Sequence, residues 1–434
     1  MAELYSNVDE RQLQQDAEAS LLHYPYYQGT SFHPSIIIKA SGRTITTASG
    51  HTMLDWTSGQ MSTLIGHGHP EIPSPKPSSS PPAAKPTECA LRLAKHYTSK
   101  FEIVALSSSS WHGVTSGAIA AQYHSGRSGY GPTMPGNLCL STPNSYRSIF
   151  RHADGSHDWK TELDYGWEMV DKQSCGSLAA VILEPILSSG GMVVLPRGYL
   201  KRMKAHCETR GMLLIVDEAQ TGVGRAGDMF AFQHWEEDDG VVPDILTLSK
   251  TLGNGLPLSA VVTSDRIAEH AKDNGFLFYT THINDPLPAS VGDKVLEIVV
   301  RDNLVQRSRE LGHKFQKRLR LLQSRYGCIG DVRGRGLMAG VEIVADRRTK
   351  VGNPELGAAV ASKMEELGLW AQLSTMPSFG GVFRLAPPLT TTDEELEQGL
   401  SIIEEALATT PGTMPLCDSQ RPSQESVEQV EARL

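Results

Sequence analysis

Two stretches decide the fold of this chain: MLLIVDEAQTGVGR, residues 212–225, and DILTLSKTLGNGLP, residues 244–257. In each, a short and mostly apolar run leads to one functional group, Asp217 in the first and Lys250 in the second. Such runs, bounded by polar and glycine-rich segments, are typical of strands buried on both faces of a parallel sheet. Ligands of open α/β sheets bind beyond the carboxyl ends of the strands. We therefore expect Asp217 and Lys250 to share one site.

An acid and an amine at that edge suit pyridoxal phosphate, because a lysine forms a Schiff base with it and an acid partners its pyridinium nitrogen. Taken singly, Asp217 could be an ordinary strand-end acid and Lys250 a surface lysine, but Gln220 lies only three positions beyond Asp217. The run GVGRAG, residues 222–227, matches G-x-G-x-x-G. DEAQT separates it from the apolar strand, however, whereas a dinucleotide fingerprint needs the turn at once. The pattern favours pyridoxal phosphate.

Composition excludes several classes of partner. The chain has 434 residues, 39% of them hydrophobic, which is enough for two domains. A net charge of −9 without a basic block argues against nucleic acid or an anionic membrane as main partner. No apolar stretch approaches the roughly 18 residues of a membrane span, and the acidic, polar N-terminus does not resemble a signal peptide. The six cysteines contain no C-x-x-C pair, so we expect a reduced compartment and a cytoplasmic location.

Four regions follow from the distribution of strand, helix and breaker signals. We expect residues 1–60 to form an N-terminal segment with a small sheet, and residues 61–299 to form a large α/β domain with a mostly parallel sheet. Residues 300–408 read as a smaller α+β domain, and residues 409–434 as a disordered tail. Within the large domain, residues 73–87 hold six prolines in fifteen positions. That low-complexity composition predicts neither a helix nor an inner strand there.

Three further motifs each leave two interpretations open. Trp111, after the apolar run 101–106, is suited either to stack on a flat cofactor or to fill the core. Arg384 lies in the apolar run VFRLAPP, where a guanidinium is costly unless it binds a substrate carboxylate or a structural acid. His67 and His69 in GHGHPE are two possible metal ligands, but no further ligand follows at a suitable spacing, which favours a loop role.

Taken together, these stretches resemble the class III pyridoxal-phosphate aminotransferases, and within them most of all the 2,2-dialkylglycine decarboxylases. The resemblance covers roughly residues 30–408. It implies the fold-type I architecture, a homodimer with active sites at the subunit interface, and an amino acid and an α-keto acid as substrates. The supporting runs are LDWTSGQMSTLIGHGHPE, SWHG, VILEPILSSGG, MLLIVDEAQTGVGR, PDILTLSKTLGNGLPL, FLFYTTHINDPLPA, CIGDVRGRGLMAGVEIV and GGVFRLAPPLT.

The resemblance implies roles for residues around the cofactor. Lys250 matches the catalytic Schiff-base lysine, and Asp217 matches the partner of the pyridinium nitrogen. Gln220 matches the residue that contacts the phenolic oxygen, and Trp111 the ring that stacks on the pyridine. Thr281 matches the donor to the phosphate of the other subunit's cofactor.

The resemblance also implies a substrate pocket. Arg384 matches the clamp on the α-carboxylate, while Gln60 and Ser189 match substrate-binding residues of the decarboxylases. Asp285 matches one ligand of an alkali cation beside that site. A dialkylglycine has no α-hydrogen, so the bond that breaks is the one to its carboxylate. The implied reaction is therefore decarboxylation followed by transamination of an α-keto acid.

One part of the family pattern is missing. The phosphate-binding loop that should precede ECALRLAK, residues 88–95, is replaced by AAKPT inside the proline-rich run. Only about 42 residues separate His69 from Trp111, which is shorter than the family pattern, and backbone donors for a phosphate are expected to be lost. Three hypotheses follow: a dialkylglycine-type decarboxylating transaminase, an ordinary class III aminotransferase acting on another amino acid or amine, and a cofactor-impaired relative.

Overall fold

The computed structural model describes residues 12, 15, 35–72, 84–107, 110–121, 134–235, 240–283, 285–375 and 381–413. Within these ranges the chain forms a six-stranded, a five-stranded, a four-stranded and a two-stranded sheet, with helices packed on the larger ones. The first part of the N-terminal segment, most of the proline-rich run and the end of the predicted tail lie outside the described residues.

The strands and helices alternate through the middle of the chain. The strands are β1 Ile37–Ser41, β2 Thr44–Thr47, β3 Thr52–Asp55, β4 Glu102–Leu106, β5 Asn137–Leu140, β6 Leu178–Leu183, β7 Ile186–Leu187, β8 Val193–Val194, β9 Leu213–Asp217, β10 Ile245–Leu248, β11 Ala260–Thr263, β12 Ile329–Arg335, β13 Met338–Asp346, β14 Val351–Gly352, β15 Leu369–Trp370, β16 Gln372–Ser374 and β17 Val382–Leu385. The helices are α1 Ala84–Thr98, α2 Ser116–Ala120, α3 Trp159–Gln173, α4 Tyr199–Arg210, α5 Asp265–Asp273, α6 Pro286–Arg301, α7 Leu304–Arg325, α8 Pro354–Glu366 and α9 Asp393–Thr409. None of these helices combines the length and the apolar composition that crossing a membrane requires.

The six-stranded sheet is the core of the fold. Its order is β11-β10-β9-β6-β4-β5, and every pair is parallel except β10 with β11. Successive side chains of a strand point to opposite faces, so each apolar run supplies both faces. Ile182 and Ile215 pack under α1 and α5, while Leu183 and Val216 pack under α3 and α4. The expected α/β fold with a mostly parallel sheet is confirmed.

The four-stranded and five-stranded sheets join distant parts of the chain. Strands β1, β2 and β3 form an antiparallel meander, and β15 adds to β3 in parallel, with Leu369 opposite Leu54. The five-stranded sheet has the order β12-β13-β17-β16, with β14 on β13. The small sheet expected near the N-terminus is therefore present and is completed by a strand from the C-terminal region. The division into folding units at residues 60 and 300 stays a prediction.

Two boundaries predicted from amino-acid composition were wrong: the end of the helix-free run at residue 87 and the start of the disordered tail at residue 409. Helix α1 begins at Ala84 and includes Pro86, although residues 73–87 were expected to exclude a helix. Proline is tolerated there because the first-turn N–H groups of a helix have no partner inside the helix. The ordered chain also continues beyond residue 409, since Thr413 Oγ1 donates to Thr410 O at 2.6 Å at the end of α9. That bond satisfies a terminal carbonyl, which composition does not reveal.

Replacing Gly399 by alanine tests how α9 holds the N-terminal sheet. A Cβ at Gly399 would overlap the ring of buried Trp56, with Cε2 and Cη2 both 2.6 Å away. We expect Gly399→Ala to lower the free energy of unfolding by about 2 kcal/mol or more. An unobstructed helix would gain about 1 kcal/mol from the same change. Urea unfolding beside the exposed control Ser401→Ala measures the difference, and a stabilised Gly399→Ala protein would contradict this packing.

Candidate active site

Four neighbouring strands bring side chains together at the carboxyl edge of the parallel sheet. Asp217 is the last residue of β9, and Lys250 follows the end of β10, which pairs with β9 through Thr247 opposite Asp217. Glu184 directly follows β6, and Trp111 lies in the loop after β4. Parallel strands end at the same edge of a sheet, so this clustering follows from the strand order. The expected proximity of Asp217 and Lys250 has this origin.

Asp217 is a buried carboxylate with its hydrogen bonds satisfied. Its Oδ1 accepts from the Ala219 N–H at 3.1 Å and from Thr247 Oγ1 at 3.0 Å. Its Oδ2 lies 2.8 Å from Nδ1 of His112, which is also buried. Burial is the largest single influence on Asp217 and works against its ionisation, but the hydrogen bond with His112, the charge of Lys250 and the N–H of Ala219 together outweigh it, so the pKa of Asp217 is lowered. The site thus holds an anion in its interior.

Lys250 opens a short 3₁₀ turn, Lys250–Leu252, that begins just after β10. Burial lowers the pKa of Lys250, and the nearby carboxylates of Asp217 and Glu184 only partly offset that effect. A lowered pKa favours the neutral amine, which is the nucleophilic and proton-accepting form. Lys250 therefore lies at this edge of the sheet with a pKa that favours a nucleophilic amine.

Glu184 is a buried acid that the sequence patterns did not single out as functional. Its Oε1 accepts from the Trp111 N–H at 2.9 Å. Burial first, and the charge of Asp217 after it, raise the pKa of Glu184 to about 7. A carboxyl group with this pKa exchanges its proton near neutral pH.

Arg384 enters the same region from the five-stranded sheet. Its guanidinium donates to Gln372 Oε1 at 2.9 Å, Ser188 Oγ at 2.7 Å and Gln220 Oε1 at 3.0 Å. These three acceptors are neutral, and Arg384 is only 3% exposed. A buried guanidinium can bind a carboxylate through two parallel N–H donors. Gln220 thereby connects the Asp217 loop to Arg384.

The other expected site residues occupy two different settings. Ser189 is buried beside Ser188, and exposed Gln60 directly precedes Met61, whose Sδ lies 4.0 Å from Arg384 Nη2. Thr281 is exposed in the segment between α5 and α6. Asp285 lies at the start of α6, where its Oδ2 is 2.8 Å from His282 Nδ1. The described residues contain no group of three or more His, Cys, Asp or Glu placed to hold a metal ion.

The N-terminal end of α1 is directed towards the carboxyl edge of the parallel sheet. Helix α1 ends at Thr98, β4 begins at Glu102, and α1 packs along β6, β9 and β10. The helix therefore runs antiparallel to these strands, and its first residue lies at the edge where Asp217 and Lys250 stand. A helix N-terminus offers backbone N–H groups and the positive end of a dipole. Pro86 removes one of those donors, but the others remain.

The glycine-rich run after Asp217 has a packing role. A Cβ at Gly224 would lie 3.3 Å from Val305, and one at Gly227 would lie 3.2 Å from Arg309 Cα. Both neighbours belong to α7. The run lets the chain approach that helix closely, and no helix directly follows it, so a dinucleotide site is not supported.

Sequence reasoning missed His112, Glu184 and Ser188. A signal was present for two of them: His112 stands next to Trp111, and Glu184 interrupts an otherwise apolar run. An acid at the end of a buried apolar strand is unfavourable unless hydrogen-bond partners compensate its desolvation. Ser188 carried no signal, because its bond to Arg384 joins residues 196 positions apart.

Comparison with known proteins agrees with this geometry. The family model for class-III aminotransferases matches residues 83–407. An uncharacterized aminotransferase of Schizosaccharomyces pombe is 45% identical over 430 residues, which cover 91% of this chain and 94% of that protein. The chain therefore belongs to the class-III aminotransferase family.

Solved structures show the same fold. An (S)-enantioselective omega-transaminase from Thermomicrobium roseum aligns with a TM-score of 0.81 at 26% identity, covering 94% of this chain and 100% of that chain. An amine transaminase from an uncultivated Pseudomonas species, solved in its PLP-bound form, aligns with a TM-score of 0.78 at 25% identity, covering 90% and 99%. The expected fold-type I architecture is confirmed.

The raised pKa of Glu184 makes a stability prediction. Between about pH 4.5 and about pH 7 the folded protein keeps this proton while the unfolded chain has lost it. The free energy of unfolding therefore falls as pH rises through that window. The glutamine of Glu184→Gln cannot ionise. The free energy of unfolding of this variant should therefore fall less over the same pH window than that of the original protein, by up to about 3 kcal/mol.

Urea unfolding of the cofactor-free proteins at about pH 5 and about pH 8 measures this difference. Glu168→Gln, on the exposed surface of α3, is the matched control. An equal pH dependence in the original protein and Glu184→Gln would show that Glu184 ionises normally.

Proposed function

We propose that this protein uses pyridoxal phosphate to transfer the amino group of an amino acid to an α-keto acid. We further propose that its amino donors include 2,2-dialkylglycines, which it decarboxylates. The observation that carries the proposal is the placement of Asp217 and Lys250 at the ends of adjacent parallel strands, with Arg384 linked to the same cluster through Gln220. That arrangement combines a buried acid, an amine and a carboxylate clamp.

The residues present suit the cofactor at each of its ends. The buried carboxylate of Asp217 would partner the pyridine nitrogen, and the Lys250 amine would bind at the aldehyde. Trp111 follows the neighbouring strand β4 and would cover the ring face. The first turn of α1, with the hydroxyl of Thr87, would hold the phosphate through the backbone N–H groups that Pro86 does not remove. This assignment favours a functional site over a cofactor-impaired relative.

When bound, pyridoxal phosphate withdraws the electrons that are left when a bond to the substrate α-carbon breaks. The protein's part is to manage protons and orientation. Asp217, ionised and fixed by His112, would keep a proton on the nitrogen it faces. Lys250 would exchange a proton at the reacting carbon through Nζ, since burial favours its neutral form.

Two groups would orient the substrate carboxylate. Gln60 would hold the carboxylate that leaves the amino donor. Arg384 would bind the single carboxylate of the α-keto acid in the second half of the reaction, through the guanidinium edge that contacts Gln220 and Ser188. A second carboxylate clamp is unnecessary for a donor and an acceptor that each carry one carboxylate. This pocket is the basis for favouring dialkylglycines over other amines.

We also propose a homodimer. Leu277 and Tyr279 are exposed on the segment that carries Thr281, and Leu287 is exposed in the first turn of α6. A cluster of exposed apolar side chains around a polar site residue is typical of an interface. The second subunit would then place Thr281 near its partner's phosphate.

Donor profiling tests the function. Cofactor-loaded protein incubated with 2-aminoisobutyrate and pyruvate should release carbon dioxide and form alanine. Turnover of L-alanine or simple amines without any turnover of 2-aminoisobutyrate would show an ordinary class III aminotransferase instead. The near-visible absorbance of bound cofactor should change when Lys250→Ala is made, and its absence from the original protein would indicate a cofactor-impaired relative.

Arg384→Met tests the carboxylate clamp. A buried charge pair with substrate would be lost, so the KM for pyruvate should rise at least about thirtyfold. The control is Arg202→Met, which removes a half-exposed guanidinium of α4 that pairs with Asp164 of α3, and it should leave KM unchanged. Steady-state kinetics at several pyruvate concentrations measure both. An unchanged KM in Arg384→Met would place the carboxylate elsewhere.

A further inference from the structure

The loop that follows β3 contains an uncommon backbone conformation. Ser58, Gly59, Gln60 and Met61 have φ values of 47°, 54°, 63° and 62°. These four residues form one left-handed turn, in which the Met61 N–H donates to Thr57 O at 2.7 Å. Left-handed backbone is unfavourable for residues with a Cβ, and only one of the four is glycine. Such a segment persists only where its surroundings hold it.

Asp55 is the main support of this turn. Its Oδ1 accepts from the N–H of Thr57 at 2.8 Å and from Thr57 Oγ1 at 2.6 Å. Its Oδ2 accepts from the Gly59 N–H at 3.1 Å and lies 2.7 Å from His67 Nε2. The carboxylate is buried. These four contacts occupy all four of its lone-pair positions. It ties the start of the turn to the end of β3.

His67 fixes the orientation of that carboxylate. Its backbone N–H and C=O both pair with Gly42, at 2.7 Å each. Its ring packs against the turn: a Cβ added to Gly59 would lie 3.4 Å from His67 Cε1. With backbone and ring both held, His67 limits how Asp55 and the turn can move.

The far side of the turn contacts the pocket. Ser58 Oγ donates to Ala386 O at 2.6 Å, two residues beyond Arg384. Met61 Sδ lies 3.5 Å from Ser188 Oγ and 4.0 Å from Arg384 Nη2. A shift of the turn would therefore move Gln60 and disturb the surroundings of Arg384 together.

We propose that Asp55 and His67 are positioning residues that hold the strained turn 58–61, and that they thereby set the orientation of the substrate carboxylate through Gln60. This assignment rests on the proposed function for its catalytic consequence, whereas the holding role depends only on the fold. It gives His67 a role that is neither metal binding nor ordinary loop packing. Neither side chain needs to touch substrate.

The holding role is tested by hydrogen exchange of the backbone amides in residues 57–63 of the purified protein. His67→Phe removes the ring donor, and exchange in this segment should become at least about tenfold faster. His67→Gln retains an N–H donor and should restore most of the protection. His69→Phe, in the same GHGHPE motif, should exchange like the original protein. Unchanged exchange in His67→Phe would overturn the holding role.

The catalytic consequence is tested by a double-mutant cycle with 2-aminoisobutyrate as donor. His67→Phe should lower kcat/KM about tenfold, and His67→Gln should recover it. In a Gln60→Ala background the same His67→Phe change should have little further effect, because both substitutions act on one orienting group. Full additivity of the two losses would overturn action through Gln60.

The two proposals fail in different ways. If the original protein turns over no amino donor, the proposed function is wrong, and the exchange experiment still decides the holding role. If it turns over L-alanine only, the cycle is run with that donor. Should His67→Phe not fold, Thr57→Val removes a single hydroxyl bond to Asp55 and must show the same pattern, in smaller measure, for the proposal to stand.

Discussion

The structure depends on keeping a carboxylate ionised inside the protein at the end of β9. Asp217 is 4% exposed, and burial alone would favour its neutral form. His112, Thr247 and the backbone N–H of Ala219 each form a hydrogen bond with it. The contacts with His112 and Ala219, together with the charge of Lys250, outweigh burial and lower its pKa. His112 follows β4 and Thr247 lies on β10, so the strand order of the sheet is what assembles the support. An amine and a second acid, Lys250 and Glu184, stand beside it by the same rule.

A second constraint arises where the parallel sheet meets the five-stranded sheet. Arg384 crosses from β17 to the loops that follow β6 and β9, where Ser188 and Gln220 accept its hydrogen bonds. A guanidinium in this position costs desolvation unless a ligand or several dipoles compensate it. The left-handed turn at residues 58–61 closes the same region from the N-terminal sheet. Side chains attached to the six-, five- and four-stranded sheets thus meet in one region: Asp217 with Lys250, Arg384, and the turn at residues 58–61.

Much of this was predictable because the signals were local. The runs 212–217 and 244–250 carried both strand periodicity and a functional group at the end, and parallel strands place their ends together whatever follows. Arg384 stood out because charge inside an apolar strand is costly. The predictions from amino-acid composition were wrong at two places. Pro86 lies in the first turn of α1, where a helix tolerates proline, and the ordered chain continues to Thr413 beyond α9. Ser188 could not be predicted as a contact of Arg384, because packing and not spacing in the chain brings these two residues together.

The sequence by itself determined the elements and the chemistry they present: apolar runs that must be buried on both faces, and an acid, an amine and a guanidinium at the ends or in the middle of those runs. Only the tertiary structure decided which of these groups meet and in what state. It placed His112 against Asp217, raised the pKa of Glu184 to about 7 by burying it, and stabilised a left-handed turn that isolated residues avoid. Local patterns follow from steric and hydrophobic rules within a few residues. Ionisation and strain depend on desolvation and on hydrogen bonds between distant segments, which exist only once the sheets have packed together.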